Sequence, residues 1–329
     1  MAERSSKIPV LALLAVVFTL SLTFATLELP RILNRLLIPL FPDIYWEPES
    51  IEALMRYARP IGYASLAVII ALIVLGFAKE KNTLSYLGSF AFFIPAFGYF
   101  AASMFFLAGI GILRIMWLPF WDSNPAFLKL GDAAYIPYWI LVYPLRFLLD
   151  PRTAHRAGGL IASLAVGAGL AVFFAGTLTW FYGRLEGRKV FDFWIYKHSR
   201  HPQYLGYVLW SYGVMVHTKL SPVPFGGYQP EPSLPWLISA LLVVCVSLSE
   251  EVSMLRLEDE AYATYRRNTP FMLPLPRFLS RPLAAPGRAL LKKGFPENGR
   301  EILYIFSVYC VIFILISALI LGAGWIQAV

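Results

Sequence analysis

The chain has 329 residues, 58% of them hydrophobic and only 15% charged, with a mean hydropathy of +0.62. A soluble domain carries nearer a quarter charged residues, so an ordinary soluble protein is excluded, and several runs reach the ~18 apolar residues needed to cross a bilayer. The net charge of +8 is spread over many loops, without a long basic run or aromatic–basic alternation; this fits a basic membrane face and excludes a nucleic-acid partner.

Residues 8–27 form an apolar run behind a short Arg4/Lys7 head. The run is long for a signal peptide and lacks a clear small-residue cleavage site, so it reads as a retained first span. Residues 28–60 mix prolines, acids and arginines with apolar pairs such as Leu36-Leu37, and read as a loop with an interfacial helix. Residues 61–77 form a second span, closed by Lys79-Glu80-Lys81. Residues 86–120 are too long for one upright helix and contain Pro95, which leaves one tilted, kinked helix or a hairpin of two. Residues 134–149, between Asp132 and Asp150, are predicted as another span. In 158–182, Gly158, Gly159, Gly167, Gly169 and Gly176 resemble small-residue packing between membrane helices. Gly167-Ala168-Gly169 is not a nucleotide fingerprint, because no strand precedes it.

Residues 183–200 are polar and basic, and Pro202 opens a helix to about Val216. Residues 219–235 are rich in Pro and Gly and form a loop. Residues 237–248 are apolar, and their helix is expected to run on, polar, to about Asn268, with Arg256 and Glu260 as an i,i+4 pair. Residues 277–300 are basic with interleaved Leu, Phe and Pro and suit the lipid headgroup surface, and 302–326 form the last span. Cys245 and Cys310 lie in apolar runs without CxxC spacing and read as small buried hydrophobes.

The expected fold is all-α, a polytopic membrane protein of about eight transmembrane helices. Residues 1–182 form an N-terminal bundle, 183–276 a polar-motif core, and 277–329 an interfacial basic segment with a final helix. With eight spans, one side carries both polar motifs together with Arg31, Arg35, Arg56, Arg59, Arg114 and Lys129. Most of the 28 lysines and arginines fall there, which places that side in the cytoplasm.

Two stretches are out of keeping with lipid. One is Ser199-Arg200-His201-Pro202-Gln203-Tyr204-Leu205-Gly206; the other runs from Glu250-Glu251 to Pro276. Charge near lipid is costly and marks a functional site. A helix start at Pro202 offers free N–H groups to an anion, beside Arg200 and His201. Tyr204 is expected to face away from His201. On one continuous helix Glu251, Leu255, Glu258, Tyr262 and Tyr265 share a face. A plain helix start and a solvated helix end would account for parts of both stretches, but Glu250-Glu251 directly adjoin the apolar run and require a cation or hydroxyl partner.

The order Arg200-His201-Pro202, Tyr204, Gly206, then Glu250-Glu251, then Tyr262, Tyr265 and Pro274 resembles the integral-membrane methyltransferase superfamily, which includes isoprenylcysteine carboxyl methyltransferases and phospholipid N-methyltransferases. The likeness covers residues 183–276. It implies S-adenosylmethionine as cofactor, bound on the cytoplasmic side. Arg200, His201, Pro202 and Tyr204 would form one wall of its pocket, and Glu250 and Glu251 the other, with Tyr262 and Tyr265 nearby. It implies an acceptor that is a lipid or a prenylated group from the bilayer, oriented by Arg266 and Arg267. Glu251 also counts as a catalytic candidate beside the sulfonium. No metal is expected; His198 as a metal partner of His201 is outside the pattern. The family has Gly six residues before the Arg of its motif, whereas this chain has Trp194. That ring would narrow the pocket or stack on a substrate. Alternative readings are a phospholipid N-methyltransferase, an NADPH-dependent sterol-reductase-like enzyme, and a non-catalytic transporter or scaffold.

Overall fold

The computed structural model describes residues 7–37, 48–81, 83–84, 87, 118–220, 231–257 and 259–323. These are helical throughout their regular elements, with no strand among the described residues. In order they form α1 (Ile8–Leu37), α2 (Pro48–Ala78), α3 (Leu118–Ser123), a 3-10 segment (Pro125–Tyr135), α4 (Ile136–Val142), α5 (Leu145–Leu148) and α6 (Pro151–Leu185). A second 3-10 turn (Trp194–Lys197) precedes α7 (Pro202–Leu220), α8 (Ser233–Leu257), α9 (Asp259–Asn268), α10 (Arg277–Leu291) and α11 (Gly299–Gly322). Among the described residues, five helices are long and apolar enough to cross a membrane: Ile8–Glu28 within α1, Arg56–Ala78 within α2, α6, α8 and α11. This is the pattern of a multi-pass membrane protein.

Several sequence expectations change. Residues 28–60 are not a loop over their described part: α1 continues to Leu37 and α2 starts at Pro48, carrying Pro60 inside it. Residues 134–149 are not a span. Pro137 stands in the first turn of α4 and Pro144 precedes α5, so the run breaks into helices of 7 and 4 residues. Neither approaches the ~20 residues a crossing needs. Most of 86–120, where one helix or two was left open, lies outside the described residues.

The longest helix among the described residues, α6, is well delimited. Asp150 caps α6 by accepting from the N–H groups of Arg152 and Thr153, and Pro151 occupies the first position. At the far end Gly187 takes φ of 67°. Arg188 N–H then donates to Gly183 O and Gly187 N–H to Arg184 O, the Schellman arrangement that glycine makes easy.

α6 and α7 pack as an antiparallel pair at backbone contact. A Cβ on Gly169 would sit 2.2 Å from Trp210 N, one on Gly206 2.4 Å from Phe173 N, and one on Gly213 2.6 Å from Ala162 O. Gly176 likewise admits Gln203 and Pro202. The small-residue reading thus holds for Gly169 and Gly176, and for Gly158 against Tyr138, while Gly159 and Gly167 face nothing within 4 Å. Gly206, part of the polar motif, is therefore a packing residue.

Polar ties mark the two ends of the bundle. At one end Arg256 pairs with Glu80, which also accepts from Gly299 N–H at 3.3 Å. The bond to Arg256 holds the Glu80 carboxyl below its ordinary pKa. Arg256 thus joins the ends of α2, α8 and α11 and does not pair with Glu260. At the other end Arg59 pairs with Asp122 at 3.0 Å, Lys219 with Glu231, and Ser233 Oγ donates to Asp132 at 2.5 Å. Arg59 therefore lies at the end opposite the polar motifs, with Arg56 one turn away and Lys129 near Asp132. Their expected place on the motif side is corrected, because α2 holds one helix long enough to cross and 118–149 holds none. The motif end keeps the basic stretches 184–200 and 256–300.

Candidate functional site

The site forms where α6 and α8 end and α7 begins. Arg200 and His201 stand just before α7, and Arg200 N–H donates to Pro270 O at 3.0 Å. Glu250 and Glu251 lie two turns before the end of α8. The helix of Glu251 is described to Leu257, and Asp259–Asn268 is a separate helix. On one continuous helix Glu251 and Arg266 would be about 22 Å apart along the axis. The fold brings Arg266 Nε to 3.3 Å from Glu251 Oε2. Glu258, expected on the same face, lies outside the described residues.

Glu251 is the hub of a buried cluster. Its Oε1 is 2.7 Å from Arg200 Nε and 3.1 Å from His201 Nε2. Its other oxygen faces Arg266. A carboxylate only accepts, so the Nε2 proton of His201 points toward it. Arg200 Nη1 donates to Arg266 O at 2.5 Å. Phe295 lies over Arg266 at 3.5 Å and over Arg200 at 5.5 Å, with Phe271 at 5.6 Å on the latter. Burial lowers the Arg266 pKa, while Glu251 pulls it back up.

Beside this cluster is a cavity of about 310 Å³. Arg200, His201, Tyr204, Glu250, Tyr262 and Tyr265 line it, so these predicted residues converge. Tyr204 OH donates to Glu250 Oε1 at 2.6 Å. Tyr204 does not face away from His201: their rings are 5.8 Å apart on the same cavity, as residues three apart on one helical turn should be. Tyr265 OH donates to Tyr196 O at 2.8 Å, tying α9 to the turn before α7. Burial raises the pKa of Tyr196, Tyr262 and Tyr265, so these phenols stay protonated donors.

Other predicted residues stand apart from the lining. Glu251 and Arg266 sit behind the wall, bound to each other. Pro202 is buried and packs toward Gly176. Arg267 and His198 are exposed and do not line the cavity. Sequence reasoning missed Trp180, Arg184, Lys189, Phe191 and Tyr196, which also line the cavity, as do Val190, Gln203 and Met254. Their only signal was an aromatic and basic cluster where an apolar run ends. Phe295 had none, since nothing local marks an aromatic for stacking on a distant arginine. Among the described residues, no group of three or more His, Cys, Asp or Glu is placed to hold a metal.

Trp194 has φ of 48°. That is the left-handed region, where glycine is at ease and other residues are strained. Its ring packs tilted by 34° against Tyr182 with centroids 4.9 Å apart, and the residue is 44% exposed. It does not line the cavity and does not narrow it.

Comparison of the chain with models of protein families, with curated proteins and with solved structures found no match.

Proposed function

We propose that this chain is a membrane-embedded S-adenosylmethionine-dependent methyltransferase acting on a lipid-like or prenylated acceptor, such as a prenylcysteine carboxylate. The motif likeness over residues 183–276 supports the reading. The observation that carries it is convergence: His201, Tyr204, Glu250, Tyr262 and Tyr265, from three helices and a turn, line one cavity. Its volume of about 310 Å³ lies within the range of small-molecule sites.

The donor set fits the cofactor. Glu250 presents a partly exposed carboxylate for ribose hydroxyls or an amino group. Trp180, Phe191 and Tyr196 offer aromatic faces for a purine and a cationic sulfur. When bound, the cofactor supplies a methyl group on a positively charged sulfur. Arg184 and Lys189 line the cavity and are better placed to grip an acidic acceptor than Arg266 or Arg267, which do not.

A carboxylate acceptor is already ionised, so the chain's part is alignment and exclusion of water. An amine acceptor must lose a proton, and His201, held by Glu251, is the candidate base. The five apolar helices favour an acceptor arriving from the bilayer. The basic stretches at the motif end favour a cytoplasmic site.

Calorimetric binding of S-adenosylhomocysteine to the purified full-length protein, with NADPH in parallel, tests the reading. Saturable binding of the adenosyl ligand alone supports it. Binding of NADPH alone moves the chain to the reductase reading. Binding of neither by folded protein overturns both.

A further inference from the structure

Helix α10 has three distinct faces. Its sequence, RFLSRPLAAPGRALL, contains no acidic residue. Arg281 and Arg288 are two turns apart and share one exposed face. Leu279, Leu283 and Leu290 are 44%, 55% and 42% exposed. At ~100° per residue they lie roughly 140–180° round the axis from the two arginines. The third face docks on α11: Gly287 lies against Tyr309, and Tyr309 OH donates to Leu283 O. The helix is thus held sideways against a candidate span, with leucines on one flank and arginines on the other. A helix so patterned lies in the plane of a membrane interface.

Its position ties it to the site. α11 starts at Gly299, in the junction where Arg256 meets Glu80, at the motif end of the bundle. Between α10 and α11 the chain passes through Phe295, whose ring covers Arg266 at 3.5 Å and Arg200 at 5.5 Å. Lys292, which closes α10 in a left-handed conformation, is exposed. Lys293 is spoken for by Glu297 and Glu301, each at 2.8 Å.

We propose that α10 binds an anionic leaflet, with Leu279, Leu283 and Leu290 among the acyl chains and Arg281 and Arg288 on acidic headgroups, and that Phe295 transmits this binding to the Arg200–Glu251–Arg266 cluster. Two exposed arginines without an acid in the helix give the charge complementarity, and each basic residue near an anionic surface contributes about 1 kcal/mol. The inference does not depend on methyl transfer.

The test is amide hydrogen exchange on the full-length protein in nanodiscs of phosphatidylcholine, with and without phosphatidylglycerol. Phosphatidylglycerol is expected to slow exchange across 277–291 by up to about thirtyfold, as two headgroup contacts imply, and to slow it in 262–271 as well. The double variant Arg281→Gln/Arg288→Gln should lose both effects. Phe295→Leu, which keeps an apolar group, should lose only the second. No response of 277–291 to phosphatidylglycerol, or a response that survives loss of both arginines, overturns headgroup binding. A response in 277–291 without one in 262–271 overturns the coupling.

Discussion

Arg200 and Glu251 meet at 2.7 Å with 4% and 1% of their side chains exposed. Both groups are shielded from bulk solvent, and Arg266 leans on the same carboxylate. Removing one partner of a buried pair typically costs about 3–5 kcal/mol. Glu251→Gln is expected to lower stability by about 3 kcal/mol in denaturant unfolding in detergent, and to weaken ligand binding only through the disturbed wall. An unchanged unfolding midpoint would show that the carboxylate does not hold the arginines.

Glu250 should behave differently from its neighbour. Its side chain is 36% exposed, and Tyr204 donates to it at the cavity. Glu250→Gln is expected to change stability by less than about 1 kcal/mol. It should weaken S-adenosylhomocysteine binding about tenfold, or about 1.4 kcal/mol. Lost stability with intact binding would reverse the roles of the two glutamates.

Gly206 tests the packing reading of the motif. A Cβ there meets backbone atoms, Phe173 N at 2.4 Å and Gly169 O at 2.7 Å, so neither helix can yield by a rotamer change. Gly206→Ala is expected to cost about 3 kcal/mol or more, at the upper end of overpacking effects. Gly159→Ala, with nothing within 4 Å, should be neutral or stabilise by up to about 1 kcal/mol. Thermal unfolding of the two variants side by side decides between packing and a direct ligand role for Gly206.

Trp194→Gly would relieve a left-handed backbone worth about 1–2 kcal/mol. It would also lose the stack on Tyr182, worth about 0.5–1.5 kcal/mol, and add backbone entropy of about 0.5–1 kcal/mol. The expected net change is under about 1 kcal/mol. Binding of S-adenosylhomocysteine should stay within about twofold, since the ring is outside the cavity. A large gain in binding would show that the ring does restrict the site.

Asp132, at the opposite end and outside the apolar spans, is 1% exposed. Burial, reinforced by Glu231, pushes its carboxyl up to about 7, against the bond from Ser233 and the charges of Lys219 and Lys129. The folded state therefore holds a proton that the unfolded state releases near pH 4. This group makes the protein less stable as pH rises from about 4 to about 7, by at most about 4 kcal/mol. Asp132→Asn keeps an acceptor for Ser233 and should remove that slope. The difference between wild-type and variant unfolding curves across this range is the measurement; equal slopes would show that Asp132 is ionised when folded.

Composition and run length alone were enough for a helical, membrane-crossing protein, because an apolar run of sufficient length has few alternatives in water or lipid. The motif residues Arg200, His201, Tyr204, Glu250, Tyr262 and Tyr265 were legible because polar groups beside apolar runs stand out. Their convergence was not. α9 is turned back toward Glu251, and only that turn puts Arg266 on its carboxylate. The same limit hid the broken run 134–149, where prolines outweigh hydropathy, and with it the side on which Arg56 and Arg59 lie. Which of two adjacent glutamates faces the cavity, and that Phe295 covers two arginines, follow from how helices meet. Those contacts join residues far apart along the chain, and local pattern carries no record of them.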